Sequence, residues 1–206
     1  MQFIIGIYNL PGIVTFSGLL FSIAVCILSY ERLFFQAYIF FILAGLCDLF
    51  DGFIARQVKL TTAEREFGVY IDSLIDMVSF GLVPVILLLH LGSNQLIDYF
   101  LFAFYSCCAA MRLAIYNQLR HSGQIDDHSF FGLPVTYSPL VLSTLFVIGT
   151  FLHPLLCRIL LRLTLLMLGI LFLLKIKIKK PAIIYYLIFS LIGSGYIIFW
   201  MIKILI

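Results

Sequence analysis

Charged residues are scarce in this chain. They make up 11% of its 206 residues, whereas soluble proteins carry roughly 25%. Apolar runs of about 20 residues, the length that a bilayer core requires, recur instead. Strand-like alternation does not account for these runs, so we expect helices and not a barrel. The composition predicts an all-α, polytopic membrane bundle that forms a single domain over residues 1–206.

Closely spaced cysteine pairs and a strong basic excess are also missing. The five cysteines all fall within apolar runs, and none forms a C-x-x-C pair. In that setting cysteine behaves as a small buried hydrophobe, so we predict neither disulfides nor a zinc site. The formal net charge is only +3, which does not suggest a nucleic-acid partner.

The apolar runs predict about seven membrane spans. Short turns or polar segments separate them, and the longest polar segment covers residues 118–129. The second helix is expected to continue as far as Arg56. The predicted spans cover residues 12–29, 33–53, 67–91, 96–116, 133–151, 155–174 and 182–204.

Lysine and arginine are unevenly divided between the two sides of these spans. Nine of the thirteen fall on one side, and the positive-inside rule assigns that side to the cytoplasm. It also carries the N-terminus and the polar segment after the second span. We therefore predict an inner (cytoplasmic) membrane protein with its polar site facing the cytoplasm. The nine residues are Arg56, Lys59, Arg65, Arg112, Arg120, Lys175, Lys177, Lys179 and Lys180.

The few acidic residues are concentrated in one stretch of the chain. Four of the ten are aspartates at positions 48, 51, 72 and 76. Long apolar runs flank this stretch on both sides. Carboxylates at membrane depth are costly and are rarely placed there without a function. The stretch is therefore the first candidate for a functional site.

Helical spacing brings each pair of aspartates onto one face. Asp48 and Asp51 are three residues apart, and Asp72 and Asp76 are four apart, so each pair stacks on its helix. Two such helices facing each other would converge four carboxylates, which repel one another unless a cation lies between them. Hard oxygen ligands suit Mg²⁺ or Mn²⁺. Two ions bridged by shared carboxylates would make a phosphoryl-transfer site.

Small residues and one arginine accompany the aspartates. Gly52, Ala55 and Gly68 lie on or beside the acidic faces, where they would let a bulky ligand approach the backbone. Arg56 can form paired hydrogen bonds to phosphate oxygens. Together these residues indicate an anionic, metal-bound phosphate ligand at the membrane surface.

The whole stretch resembles a known family signature. It reads D-x-x-D-G-x-x-A-R, then eleven residues, then G-x-x-x-D-x-x-x-D, which is similar to the signature of the CDP-alcohol phosphatidyltransferase family. The resemblance implies a helical membrane core of about six spans, to which one more span is added here. It also implies a homodimer. The fixed positions present are Asp48, Asp51, Gly52, Ala55, Arg56, Gly68, Asp72 and Asp76.

Three further stretches resemble the phosphatidylserine synthase branch of that family. They are DSLIDMVSFGLVP at residues 72–84, RLAIYN at 112–117 and FFGLP at 130–134. Ile115 stands where the branch usually has a second arginine. After residue 135 the chain resembles the branch only in hydropathy.

The start of the first span resembles the family only in part. Residues 11–15 are similar to a family P-N-x-x-T pattern, but Gly12 takes the position of the asparagine. We therefore leave Thr15 outside the predicted site.

The branch resemblance implies transfer of a phosphatidyl group from CDP-diacylglycerol to L-serine, with release of CMP. It makes Asp76 the general base, and it implies that CDP-diacylglycerol, serine and membrane lipids are the partners. The metal ligands would be Asp48, Asp51, Asp72 and Asp76. The CDP-lipid would contact Gly52, Ala55, Arg56 and Gly68. The acceptor would contact Arg112 and Asn117.

Two alternatives stay open at this point. The same chemistry with glycerol 3-phosphate or inositol phosphate as acceptor would need extra cations near the site, and Lys59, Arg65 and Arg120 would be available for that purpose. A transporter or channel would instead use the aspartates to coordinate a permeating cation. Release of CMP from CDP-diacylglycerol would distinguish an enzyme from a transporter.

Overall fold

Helices dominate the structure, a computed structural model that describes residues 9–122, 129–179 and 183–206. The α-helices are α1 (Leu10–Tyr30), α2 (Phe34–Gln57), α3 (Thr62–Asp76), α4 (Val83–His90), α5 (Leu96–His121), α6 (Ser138–Gly149), α7 (Pro154–Leu173) and α8 (Ile183–Leu205). A π-helix, Met77–Leu82, joins α3 to α4, and a 3-10 turn, Val135–Tyr137, precedes α6. Two short strands are β1 (Ser129–Phe131) and β2 (Lys177–Lys179).

The all-α membrane prediction is confirmed. Within the described residues, six helical segments are long and apolar enough to cross a membrane. The α3, π-helix and α4 segments form one of the six, Thr62–His90. The fifth predicted span, residues 133–151, corresponds to the shorter apolar helix Val135–Gly149. The chain enters this helix through a bend. Many large apolar side chains face outward, as expected of an integral membrane protein surrounded by lipid.

The second helix lies at the centre of the bundle. It packs against α1 along its length and against α6 and α8. Its first turns carry Tyr38, whose ring centroid lies 4.5 Å from that of Phe146 and 4.6 Å from that of Trp200. Offset aromatic contacts of this kind join helices more strongly than area alone suggests. They tie α2, α6 and α8 together at the end of α2 farthest from its aspartates.

The third span begins earlier than its hydropathy predicts. Thr61 caps the helix, because its hydroxyl accepts from the backbone N–H of Glu64 at 3.3 Å. Glu64 Oε2 accepts in return from the Thr61 N–H at 2.8 Å. This capping box adds a polar first turn to the span. It lengthens the helix that carries Gly68, Asp72 and Asp76.

A π-helix widens the third span directly after Asp76. Pro84 has no N–H, and its ring clashes with the carbonyl four residues earlier, that of Phe80. Two side chains of α5 occupy the carbonyls in this region: Tyr105 Oη donates to Phe80 O at 2.6 Å, and Ser106 Oγ donates to Gly81 O at 2.9 Å. Both hydrogen bonds anchor the helix that carries Asp76 to α5. We did not predict this irregularity from the sequence.

The two strands close the loop before α6. They are antiparallel, and Ser129 pairs with Lys179. Directly after β1, Gly132 has φ +72°, and a Cβ there would lie 2.8 Å from the Phe172 carbonyl oxygen. Only glycine satisfies both demands. The chain therefore bends into the fifth span at Gly132, packed against the end of α7.

Cysteine makes no disulfide in the structure. All five cysteines are free and lie in helices. Part of the predicted polar segment at 118–129 and Lys180 of the basic run lie outside the described residues.

Candidate active site

Two antiparallel helix ends position the predicted site residues. The last turns of α2 carry Asp48, Asp51 and Arg56, and α3 carries Asp72 and Asp76 on the facing side. The polar loop between the helices is short, from Val58 to Thr61, so the two acidic faces stay in register. This is the helix pair that the aspartate spacing predicts.

Three carboxylates converge. One oxygen from each of Asp48, Asp72 and Asp76 lies within 4.8 Å of the others. Asp76 is buried, with 6% of its surface exposed, and the other two are half-buried. Desolvated carboxylates this close repel one another strongly, since burial weakens dielectric screening. The cluster is therefore arranged for a cationic ligand.

Asp51 belongs to a neighbouring contact. It is buried, and its Oδ2 accepts a hydrogen bond from Thr15 Oγ1 at 2.6 Å. The same hydroxyl lies 3.1 Å from the Pro11 carbonyl oxygen of its own helix. Thr15 thus brings α1 into the site, although our sequence analysis leaves Thr15 outside the predicted site. The partial P-N-x-x-T resemblance was the signal that pointed to it.

The chemistry of the donors fits Mg²⁺ or Mn²⁺. Carboxylate oxygens are hard ligands, and three of them from two helices lie near a common point. Within the described part of the chain, one ion pair has its nitrogen and oxygen closer than 4.0 Å. It joins Arg162 to Asp98, and neither residue belongs to this cluster. No protein cation at ion-pair distance neutralises Asp48, Asp72 or Asp76 among those residues.

The two signature glycines leave open space beside the carboxylates. A Cβ built at Gly52 or Gly68 would meet no other atom within 4 Å. These glycines are therefore not required by helix packing, in contrast to Gly45, where a Cβ would lie 2.9 Å from Pro139 Cβ. The space lets a ligand reach the backbone of α2 and α3.

A large cavity surrounds the acidic cluster. Its volume is about 1320 Å³, and it reaches from the Asn9 end of α1 down between α2, α6 and α8 to Gly193 and Tyr196. It is large enough for a nucleotide-sized head group together with part of a lipid chain. All eight signature residues line it: Asp48, Asp51, Gly52, Ala55, Arg56, Gly68, Asp72 and Asp76.

Arg112 lines the same cavity from α5. It is buried, with 6% of its surface exposed, and its Nε and Nη2 have no hydrogen-bond partner among the described residues. Its guanidinium carbon lies 4.8 Å from the centroid of the Tyr116 ring, one turn further along α5. A buried guanidinium with free donors is costly and suits an anionic ligand.

Asn117 does not line the cavity, unlike Arg112. Its Oδ1 accepts a hydrogen bond from Ser73 Oγ at 3.0 Å, which ties α5 to α3 beside Asp72. A spacing of five residues turns Asn117 away from the face that Arg112 shares with Tyr116 and Arg120. These last three residues all line the cavity.

Arg56 is held by a residue that the sequence does not single out. Its Nη2 donates a hydrogen bond to Tyr186 Oη, and its guanidinium carbon lies 5.3 Å from the centroid of the Tyr186 ring. Tyr186 lies on α8, 130 positions further along the chain. It also lines the cavity.

Comparison with known proteins identifies the family. The family model described as CDP-alcohol phosphatidyltransferase matches residues 8–204, which is nearly the entire chain. The chain belongs to this family. The family prediction made from the aspartate signature is thus confirmed, and the signature residues are the ones that meet at the cavity.

Several curated proteins resemble this family member over part of its length. It is 34% identical over 129 residues to the CDP-diacylglycerol–serine O-phosphatidyltransferase of Saccharomyces cerevisiae, covering 58% of this chain and 45% of that protein. It is 31% identical over 114 residues to the archaetidylserine synthase of Methanothermobacter thermautotrophicus, covering 55% of this chain and 47% of that protein.

A relative with a different named acceptor also matches. The chain is 38% identical over 87 residues to the CDP-diacylglycerol–glycerol-3-phosphate 3-phosphatidyltransferase of Wigglesworthia glossinidia brevipalpis, covering 40% of this chain and 46% of that protein. Each of these matches spans less than half the length of the relative. The family follows from the family model. The acceptor alcohol needs a separate argument, because these relatives differ in their named acceptors.

Proposed function

We propose that this family member transfers a phosphatidyl group from CDP-diacylglycerol to L-serine and releases CMP. One observation carries the proposal: the cavity holds the carboxylate cluster of Asp48, Asp72 and Asp76 together with Arg112, whose Nε and Nη2 have no hydrogen-bond partner among the described residues. The carboxylate cluster suits a metal-bound diphosphate, and Arg112 suits the anionic end of the acceptor. The named activities of two relatives, from yeast and from an archaeon, support serine as that acceptor.

The reaction forms one phosphate ester and breaks the diphosphate. Asp76 would take the proton from the serine hydroxyl, whose oxygen then bonds to the phosphorus that carries the diacylglycerol. The bond from that phosphorus to the bridging oxygen breaks, and CMP leaves with the electron pair. A general base of this kind contributes roughly 10²–10⁴-fold. Holding the two substrates in line contributes in addition.

The aspartates would hold two divalent cations, Mg²⁺ or Mn²⁺. Asp48, Asp51, Asp72 and Asp76 would supply the oxygens. When bound, the cations would neutralise the diphosphate and the departing CMP. Thr15 would orient Asp51 through its 2.6 Å hydrogen bond.

The rest of the cavity would bind the CDP-lipid. Gly52, Ala55 and Gly68 would admit the cytidine end, because the backbone there faces open space. Arg56 would contact phosphate. The cavity continues between α2, α6 and α8 to Gly193, and this apolar arm would receive the start of the acyl chains from the bilayer.

Arg112 would bind the serine carboxylate. Its planar fork matches a carboxylate with two parallel hydrogen bonds. Tyr116 lies against the guanidinium and would limit its movement. Asn117 would act less directly than we predict from the sequence, since it does not line the cavity itself and bonds Ser73, which does.

Glycerol 3-phosphate is the second candidate acceptor. Arg65 and Arg120 also line the cavity, and a phosphorylated acceptor would use such extra cations. The glycerol-3-phosphate relative supports this alternative. Inositol phosphate has the same requirement, whereas Lys59 does not line the cavity.

The location of the site follows from charge. We propose that it faces the cytoplasm from the inner membrane, because nine of the thirteen lysines and arginines lie on that side. A homodimer and a single domain over residues 1–206 remain predictions.

Mass spectrometry of lipid products tests the proposal directly. Purified protein would receive CDP-diacylglycerol, Mn²⁺ and an equimolar pool of serine, glycerol 3-phosphate and inositol phosphate. We expect phosphatidylserine and an equal amount of CMP. If phosphatidylglycerophosphate were the main product, the acceptor would be glycerol 3-phosphate and not serine. Absence of CMP release with every acceptor would exclude the reaction and favour the transporter reading.

A further inference from the structure

The last helix reaches into the site through one side chain. Tyr186 lies in the first turn of α8, and its hydroxyl accepts the hydrogen bond from Arg56 Nη2. Its ring centroid lies 5.8 Å from that of Phe53, which is on the same helix as Arg56. A hydrogen bond, a cation–π contact and a ring contact thus converge on one tyrosine.

We propose that Tyr186 is the positioning residue for Arg56 and thereby helps to determine the affinity for the CDP-lipid. This inference rests on the proposed function, because it assumes that Arg56 contacts the phosphates of that substrate. Tyr186 itself belongs to a part of the chain that none of the family signature residues occupies. Its involvement follows from the packing of α8 on α2.

The physical reason is preorganisation. Arg56 is exposed, and a free arginine side chain loses rotamer entropy when a ligand fixes it. The contacts to Tyr186 hold the guanidinium at the cavity wall before substrate arrives. A guanidinium has five N–H donors, so one bond to Tyr186 leaves others for phosphate oxygens.

Two substitutions of Tyr186 distinguish the contribution of its hydroxyl from that of its ring. Tyr186→Phe keeps the contacts to Phe53 and to the guanidinium face and removes only the hydrogen bond. Tyr186→Leu removes both. Ser190→Ala is the matched control on α8, since Ser190 Oγ bonds the Tyr186 carbonyl of its own helix at 2.7 Å and does not line the cavity.

The experiment measures initial rates against CDP-diacylglycerol and against the acceptor, with CMP release as the readout and thermal unfolding in parallel. We expect Tyr186→Phe to raise KM for CDP-diacylglycerol about 3- to 10-fold, with kcat and acceptor KM within about twofold. Tyr186→Leu should raise that KM further, and Ser190→Ala should match the wild type. Unchanged Tm for Tyr186→Phe would separate positioning from a role in folding.

A double-mutant cycle decides how Tyr186 acts. If it works through Arg56, Tyr186→Phe adds little in an Arg56→Ala background. Full additivity would overturn the positioning role, because Tyr186 would then contact the substrate independently. A wild-type KM in Tyr186→Phe, in a protein that releases CMP normally, would overturn the inference and leave the proposed function intact. If the wild-type protein neither binds nor cleaves CDP-diacylglycerol, both fail.

Discussion

The two ends of the bundle hold the same kinds of charged side chain in opposite arrangements. At the beginning of α5, Arg162 Nε donates to Asp98 Oδ1 at 2.7 Å, and the Gln95 N–H donates to Asp98 Oδ2 at 3.0 Å. Near the other end of α5, Arg112 Nε and Nη2 have no hydrogen-bond partner in the described part of the chain, and Asp76 faces other carboxylates. Both arginines and both aspartates lie within membrane helices.

The difference separates structural charge from charge held for a ligand. Asp98 caps the first turn of α5 and pairs with α7, so the protein itself satisfies it, as a buried ion requires. Among the described residues, the cluster of Asp48, Asp72 and Asp76 has no direct ion pair of this kind. Buried charge that the fold leaves uncompensated marks a functional site in a membrane protein.

Removal of divalent metal should have the largest effect. Among the described residues, no lysine or arginine forms an ion pair within 4.0 Å with Asp48, Asp72 or Asp76, so we expect activity to vanish with chelator and to return with Mg²⁺ or Mn²⁺. CMP release measured after metal stripping checks this. Full activity in excess EDTA would show that the acidic cluster does not need a divalent metal for the reaction.

Replacing single aspartates of the site should produce distinguishable phenotypes. Asp76→Asn should lower kcat by roughly 10²–10⁴-fold while CDP-diacylglycerol still binds, because a base is lost and most metal ligands remain. Asp51→Asn should weaken both binding and turnover. Rates and lipid-binding assays on purified protein distinguish the two variants.

Asp98→Asn is the matched control for Asp76→Asn. It should lower Tm by a few degrees, on the order expected for a lost buried partner, with kcat within about twofold. If Asp76→Asn kept more than about half of the wild-type rate, Asp76 would not be the general base.

Replacing one arginine at each end should sharpen the acceptor assignment. Arg112→Lys should reduce kcat/KM for serine by about 10-fold or more, because lysine loses the paired geometry that matches a carboxylate. CDP-diacylglycerol binding should change much less. Arg162→Lys, measured in the same assay, should lower Tm and leave the serine kinetics unchanged.

The opposite result would reassign Arg112. If Arg112→Lys left serine kinetics intact and abolished binding of the CDP-lipid, Arg112 would belong to the diphosphate site. Serine would then be supported only by the similarity to relatives.

The smallest expected effect concerns Thr15. Thr15→Val removes the 2.6 Å hydrogen bond to Asp51 Oδ2 and keeps the side-chain volume. We expect kcat/KM for CDP-diacylglycerol to fall about threefold, because the lost hydrogen bond orients Asp51 and does not itself contact the substrate. Thr15→Ser keeps the hydroxyl and should be close to wild type. Equal rates for all three proteins would show that Asp51 needs no orientation from α1.

The sequence by itself determined the membrane class and the centre of the site. Long apolar runs leave the backbone no hydrogen-bond partner except itself, so they form helices that cross the membrane. Aspartates three or four residues apart share a helix face for the same geometric reason. Both properties are local, and the acidic cluster on α2 and α3 follows from them.

Only the tertiary structure decided which distant residues join that centre. Thr15 reaches Asp51 from 36 positions away, and Tyr186 reaches Arg56 from 130, because α1 and α8 both pack on α2. The π-helix after Asp76 likewise depends on Tyr105 and Ser106 of another helix. Asn117 was placed beside the acceptor by its position in a motif, but its helical phase turns it toward Ser73. Such contacts depend on how helices pack and rotate against one another, which hydropathy and spacing within one helix do not encode.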